Sequence, residues 1–374
     1  MEEIRKINIV GNPMATTGFG SHTLGLSKAL YKLRKGNVSI QAGDVNPESK
    51  SILNSDIAEM IFNKNFEREY NVVITSPLLW RLKYIMNCKN VIGFGVWEGD
   101  KIPLLIQQSM QYSNQIIVPS EHTKKAFQPY YDKKIEIIPH GVDRSLFNNV
   151  DYPYHNTLKS LKSNKFTFLF NKGWAKGEQD RSNLPFLLRA FCEEFKPKEN
   201  VRVLAHINPS YNNPNWNMQN EMLKLKLPND NDRPEITVTN SLFNRDMLPQ
   251  LYNSANCYVN VSKAEAFSID ILEAMACGLP TIIGGYGGQT DYAKNNVTSL
   301  ILDKFRMVKA SDPEFEYEET NWAEYDLEQL KKYMRKIYED SKLAAELGEN
   351  GMKVADKYTW ENSAKKLIKF VDSI

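Results

Sequence analysis

Two carboxylates stand eight residues apart in the segment Glu265-Ala-Phe-Ser-Ile-Asp-Ile-Leu-Glu273. Eight helical residues would span about 12 Å. The carboxyls of a hydrolase acid/base pair lie roughly 5–9.5 Å apart, so this spacing does not suit a pair flanking one scissile bond. It suits two groups gripping the ends of an extended ligand. The N–H groups of Phe267, Ser268 and Ile269 would lie between them at a helix N-terminus, a place that favours anions, diphosphate included. Two unrelated surface glutamates would show the same spacing. A second chemically suggestive stretch, Asn171–Asn183, carries Lys172, Lys176 and Arg181 between a strand and a helix. Such cations could offset a developing anionic charge without a metal; solvated loop cations are the plain alternative. A third is Gly18-Phe19-Gly20, followed by Ser21 and His22. It could bring backbone N–H groups to phosphates, or be only a tight turn.

Elements must position these residues. Ile7–Val10 is a short apolar run ending at Gly11-Asn12-Pro13, which reads as a buried strand. After the glycine loop Ser21 is the expected N-cap, and Leu26, Leu30 and Leu33 recur at helical spacing. Strand, loop and helix in this order open a doubly wound α/β domain. Further strands are expected at Val38–Gln41, Val72–Thr75, Val91–Val96, Gln115–Pro119 and Ile135–Pro139. Phe147–Asn164, rich in Asn, Tyr, Ser and Pro, reads as a linker. The pattern then restarts with strands at Phe166–Phe170, Val201–Ile207, Ile236–Val238, Cys257–Val261 and Pro280–Ile283. Helices are expected at Leu184–Phe195, Leu327–Tyr338, Lys342–Lys357 and Trp360–Val371, and at Ile269–Cys277, where Gly278 would end the helix. The acidic, aromatic stretch Asp312–Asp326 reads as a solvated loop. Two α/β units predict a cleft, with ligands at the strand C-termini.

These pieces together resemble the GT4-type retaining glycosyltransferases. Val261–Pro280 is similar to that family's E-x7-E signature, Ile137–Asp143 to its "IPxGVD" turn, and Val118-Pro119-Ser120-Glu121 to its "VPSE" segment. Gly284–Asp291 is similar to the loop after the next strand, with Asp291 where Glu is usual, and Arg181-Ser182-Asn183 resembles the "RKN" element. The resemblance runs from about Ile7 to Trp360. It implies a GT-B fold: a Rossmann-like N-terminal domain (1–155, acceptor side, rejoined by helix 360–374) and a second such domain (156–359, donor side) facing it across a cleft. It implies that Glu273 binds the ribose of a nucleotide-sugar, and that Glu265 with Phe267, Ser268 and Ile269 holds the donor sugar. It also implies that Lys172, with Lys176 as rival, and Arg181 stabilise the departing diphosphate, with Gly18, Phe19 and Gly20 near the donor phosphates.

The chain departs from the family at Ala266 and Ser268, where Gly is usual, and at Asp270, often Pro. Where many relatives place a histidine, it has Trp97-Glu98-Gly99-Asp100. Trp97 and Glu98 are the candidates for acceptor contact, with core packing or a helix start as the other reading. None of His22, His122, His140, His155 and His206 is assigned as a general base. The expected activity is retaining, metal-independent transfer of a sugar from a nucleotide-sugar to an acceptor hydroxyl on a glycan, a lipid-linked or a small molecule. The nucleotide-sugar is a co-substrate, and no cofactor is expected. The alternatives are a non-catalytic nucleotide-sugar binding protein and a GT-B sugar phosphorylase.

Composition bounds the rest. With 374 residues the chain is long enough for about two domains, and 42% hydrophobic residues can build real cores. A net charge of +2 is too mild for a nucleic-acid partner. Through Val150 there are 18 Lys/Arg against 14 Asp/Glu, an excess that weakly suits anionic ligands or a membrane surface. Cys88, Cys192, Cys257 and Cys277 form no CxxC, and no DxD or His/Asp cluster has metal-ligand spacing. The first residues lack a signal peptide's apolar core, so a cytoplasmic protein is expected. The short basic runs near Lys32–Lys35 and Lys124–Lys134 would be its peripheral contact with the inner membrane face, if it makes one.

Overall fold

Runs such as Val91–Phe94 are apolar on both faces because they lie inside a parallel sheet covered on both sides. The computed structural model describes residues 4–42, 55–62, 66–81, 88–150, 156–211, 216–311 and 319–374. It divides into two compact units, Met1–Asp143 with Tyr358–Ile374, and Arg144–Lys357. The sequence suggests boundaries at 155/156 and 359/360. The chain joins the second unit at Arg144 because that side chain is tied there: Nε donates to Asp356 at 2.9 Å and Nη1 to the carbonyls of Phe147 and Ala276.

In the first unit β1 (Ile7–Val10), β2 (Val38–Gln41), β3 (Tyr70–Val73), β4 (Val91–Phe94), β5 (Gln115–Val118) and β6 (Glu136–Ile137) form a parallel sheet in the order β2-β1-β3-β4-β5-β6. A buried polar chain pins its register. Ser39 Oγ donates to Asn8 Oδ1 at 2.7 Å, and Asn8 Nδ2 donates to Asn71 Oδ1 at 2.9 Å, across three strands paired at those positions. The terminal helix Trp360–Ser373 packs in this unit, capped by Thr359, with Ser363 Oγ donating to the Pro139 carbonyl at 2.6 Å.

The glycine segment differs from its expected form. Gly18, Phe19 and Gly20 are the first turn of the helix Gly18–Leu33, not a loop before it, and the N-cap is Thr17 rather than Ser21. Thr17 Oγ1 accepts from the Gly20 N–H. Gly20 is required by packing: a Cβ there would lie 1.8 Å from the Ala15 carbonyl oxygen. Gly20→Ala is therefore expected to destabilise by about 1–3 kcal/mol. Urea denaturation checks this; unchanged stability would mean that the Ala15 turn moves aside freely.

In the second unit β7 (Phe166–Lys172), β8 (Val201–Ile207), β9 (Glu235–Thr239), β10 (Cys257–Asn260), β11 (Thr281–Gly284) and β12 (Leu300–Leu302) form a parallel sheet in the order β12-β11-β10-β7-β8-β9. Phe168, Phe170, Phe191, Val203 and Val259 are among the fully buried residues of its core. The chain leaves β7 towards β8 and β9, then returns to β10 on the other side of β7. The C-terminal ends of β7 and β10 thus flank the topological switch point, where open α/β sheets bind ligands.

The stretch 312–326 is not a loop throughout. Asn321–Tyr325 is β14, antiparallel to β13 (Phe305–Lys309), with Trp322, Ala323 and Tyr325 buried. The acidic composition masked a strand whose apolar residues face the core; 312–318 lie outside the described residues. Among the described residues no helix is long and apolar enough to cross a membrane.

Candidate functional site

Lys172 is the last residue of β7, and Glu265 follows β10, so the parallel topology delivers both to the switch point. Lys172 Nζ lies 2.6 Å from Glu265 Oε1 and 3.3 Å from Asp270 Oδ2. Arg181 Nη1 reaches the same Glu265 oxygen at 3.2 Å and donates to the Ala264 carbonyl at 2.6 Å. The loop between Lys172 and Arg181 is folded by Asp180. Its carboxylate accepts from the N–H groups of Ala175 and Lys176 at 2.8 and 3.1 Å, and from Ser182 N–H at 2.9 Å. Of the two lysines left open by the sequence, Lys172 is the one brought to Glu265.

Glu265 is held from behind as well. Its carbonyl accepts from the Gly288 N–H at 2.8 Å. Gly287, at φ +130°, leaves no room for a side chain: a Cβ would lie 2.5 Å from that carbonyl. Burial alone would raise the Glu265 carboxyl, but Lys172 and Arg181 outweigh it and hold Glu265 below the usual carboxylate range. Burial would likewise lower Lys172, and here Asp270 and Glu265 win and raise it. The cations are thus fixed as cations in a nearly dry site.

Ser268 is the N-cap of the helix Ile269–Ala276 and sits in the left-handed region at φ +67°. Its Oγ receives Asn260 Nδ2 at 3.2 Å, and Tyr292 O–H donates to the carbonyls of Phe267 and Ser268 at 3.1 and 2.8 Å. The helix begins only at Ile269, so a helical rise applies to the second half of the Glu265–Glu273 span and not to all of it. Phe267 is buried with its ring against Tyr292, 5.1 Å between centroids.

Glu273, one turn into that helix, is 5% exposed. Tyr252 O–H donates to its Oε2 at 3.1 Å and Arg245 Nη2 to its Oε1 at 3.3 Å. Burial pushes this carboxyl up to about 7, against the opposing pull of Arg245.

Several partners escaped the sequence reading. Asp270 accepts from Tyr258 O–H and from Asn260 Nδ2 at 2.9 Å, besides Lys172. Tyr252, Tyr258, Asn260 and Arg245 carry no motif. Their only signal is position: Asn260 ends β10, and Arg245 and Tyr252 follow β9. In the first unit Trp97 is buried, its indole N–H donating to the Lys101 carbonyl at 2.6 Å. This burial fits the core-packing reading that the sequence left beside acceptor contact. The Glu98 carbonyl pairs with His122 Nε2 at 2.7 Å. Among the described residues no group of three or more His, Cys, Asp or Glu could hold a metal ion.

Residues 218–312, which include Glu265 and Glu273, match the family described as "Glycosyl transferases group 1". The fold is similar to sucrose-phosphate synthase from Thermosynechococcus elongatus (TM-score 0.70, 16% identity, 99% of this chain and 98% of that one). It is equally similar to Anabaena HepE in complex with UDP-glucose (TM-score 0.71, 13% identity, 99% and 100% covered). The chain has the GT-B fold, and its residues 218–312 resemble the group 1 glycosyltransferases. In this chain Glu265, Lys172 and Arg181 meet at the switch point of the second unit's sheet. In sequence the chain is 24% identical to sucrose synthase 1 of Oryza sativa subsp. japonica over 268 residues, 64% of this chain. That match spans 30% of the rice protein, well under two thirds of the relative's length.

Proposed function

We propose that this GT-B protein transfers a sugar, with retention and without a metal, from a nucleoside diphosphate sugar to an acceptor hydroxyl. The observation that carries this reading is the convergence of Lys172 and Arg181 on Glu265 at the sheet's switch point. Glu273 takes the ribose, Glu265 and the backbone of Phe267, Ser268 and Ile269 take the donor sugar, and the two cations take the diphosphate. HepE, with a similar fold, was solved with UDP-glucose bound, which supports a nucleotide-sugar as donor.

In the reaction the acceptor oxygen bonds to the anomeric carbon on the face from which the diphosphate leaves. The acceptor proton passes to a departing phosphate oxygen, and the leaving group carries away the electron pair of the broken C–O bond. Charge grows on the diphosphate as that bond breaks, so fixed cations stabilise the transition state more than the ground state. No protein nucleophile is required.

A thermal-shift panel of UDP-, GDP-, ADP-, CMP- and TDP-sugars without added metal tests the donor assignment. A ligand at about 100 times its Kd stabilises by about 2.7 kcal/mol. One sugar nucleotide is expected to raise Tm clearly, and no shift from any would overturn the donor reading. Arg181→Ala is expected to lower kcat with that donor more than it weakens donor binding. A loss confined to affinity would reduce Arg181 to a binding group.

A further inference from the structure

A chain of polar side chains runs inward from Glu273 to the end of β8. Tyr252 O–H lies 3.1 Å from Glu273 Oε2, and Asn171 Nδ2 lies 3.1 Å from the Tyr252 oxygen. His206 Nδ1 lies 2.7 Å from Asn171 Oδ1, and its Nε2 lies 2.9 Å from the Ser241 carbonyl. His206 is buried, with Phe243 stacked on it at 4.4 Å. Tyr252 and Glu273 are buried too. Motif reading absorbs only Glu273.

The protons in this chain are constrained. A backbone carbonyl only accepts, so Nε2 must carry a hydrogen. If the Asn171 oxygen faces Nδ1, that nitrogen also carries one, and His206 is an imidazolium. Tyr252 then accepts from the Asn171 amide and donates to an ionised Glu273. If instead His206 is neutral, Nδ1 is bare and the Asn171 amide must turn its nitrogen towards it. The amide oxygen then takes the Tyr252 hydrogen, and the Tyr252 oxygen is left to accept from a protonated Glu273. Both arrangements hold the same number of protons and differ in where one of them sits. Removing a proton from Glu273 while His206 stays neutral leaves one joint unsatisfied, because Tyr252 has one hydrogen for two acceptors.

We propose that His206 and Asn171 are positioning residues that decide, through Tyr252, whether Glu273 offers a carboxylate or holds a proton. Burial favours the uncharged arrangement, pushing His206 down to about 4 and Glu273 up to about 7. Arg245 favours the carboxylate, whereas Asp270 opposes it; Cys277 also faces Glu273, which raises that thiol. The consequence for donor binding rests on the proposed role of Glu273: a ribose hydroxyl donating to Glu273 is held more strongly by the carboxylate than by the acid, so donor entry favours the arrangement with Glu273 ionised. The relay itself needs no ligand.

The test uses the full chain, histidine-labelled with nitrogen-15 and without nucleotide. The His206 ring nitrogens are followed by NMR as pH rises through about 7. In the wild type they are expected to report a neutral ring with bare Nδ1 on the acid side, and at the Glu273 midpoint a step in the Nδ1 shift as Tyr252 turns to the carboxylate and the Asn171 hydrogen bond to that nitrogen is lost. Glu273→Gln, whose amide can donate to Tyr252 as the acid does, is expected to abolish the step. Asn171→Leu is expected to abolish it as well, and to shift the Glu273 midpoint, read from the pH dependence of stability, by about one pH unit, or tenfold in proton affinity. A wild type without the step, or the same step in Glu273→Gln, overturns the relay. Failure of the nucleotide panel with the step present overturns only the donor reading.

Discussion

Lys172→Met is expected to cost about 3 kcal/mol of stability at neutral pH and to cut sugar transfer by about 10²–10³-fold. Methionine keeps most of the side chain's volume, so the change is chiefly one of charge. It leaves Glu265, 8% exposed at the side chain, with Arg181 as its remaining ion-pair partner among the described residues, and Asp270 with neutral donors from Tyr258 and Asn260. A buried carboxylate stripped of a cation carries its desolvation cost uncompensated. In the wild type Glu265 lies below its ordinary value of 4.5. Its contribution to stability is therefore present above that value and is lost as pH falls through the folded pKa. In the variant Glu265 can relieve the conflict by taking a proton, so the stability gap should be widest near neutrality and should narrow in acid. Urea denaturation at several pH values measures the gap. A variant as stable as the wild type at neutral pH would show that Lys172 is not the compensating cation. Unchanged turnover would remove it from the diphosphate.

The contrast between Lys172 and its neighbours shows which parts of the site a linear reading reaches. Glu265, Glu273, Lys172 and Arg181 lie in two short segments, each next to a strand end, so local spacing and a family pattern find them. Tyr252, Asn171 and His206 come from three different elements and meet only because β7 and β8 are adjacent in the sheet and the helix Leu248–Asn253 lies beside them. No sequence period records that adjacency. The glycines near Gly18 mislead in a different way. Glycine suggests a turn, whereas Gly20 serves a close approach to Ala15 inside a helix, a constraint visible only in packing. Asp270 reads as a change of contour in a family loop, and its ion pair with Lys172 is a tertiary fact. The parallel sheets were legible because burial on both faces forces continuous apolar runs. β14 was not, because Glu324 splits its buried residues Trp322, Ala323 and Tyr325 and the residues before it are rich in acid.

Glu273→Gln is expected to stabilise the protein above neutral pH while weakening nucleotide binding. Burial holds the Glu273 carboxyl at about 7, above the ordinary 4.5, although Arg245 pulls the other way. A group raised in this way keeps its full contribution to stability below the unfolded value and loses it as pH climbs through the folded value. At one pKa unit per about 1.4 kcal/mol, ionising Glu273 costs the fold about 3 kcal/mol above pH 7. Glutamine can donate to Tyr252 as the protonated acid does, and it cannot ionise. Wild type and variant should therefore melt together at about pH 4, below the unfolded value, and the variant should melt higher at about pH 8. On the proposed role of Glu273 the same change would remove a charge-assisted hydrogen bond to the ribose, worth about 1.5–3 kcal/mol, so donor affinity should fall as stability rises. Scanning calorimetry at the two pH values, paired with titration of the donor, separates the outcomes. Higher stability without weaker binding would take the ribose away from Glu273. Equal melting at both pH values would mean that its carboxyl ionises without cost. Both effects together would identify Glu273 as a carboxylate kept buried, at the expense of stability, for the ligand it binds.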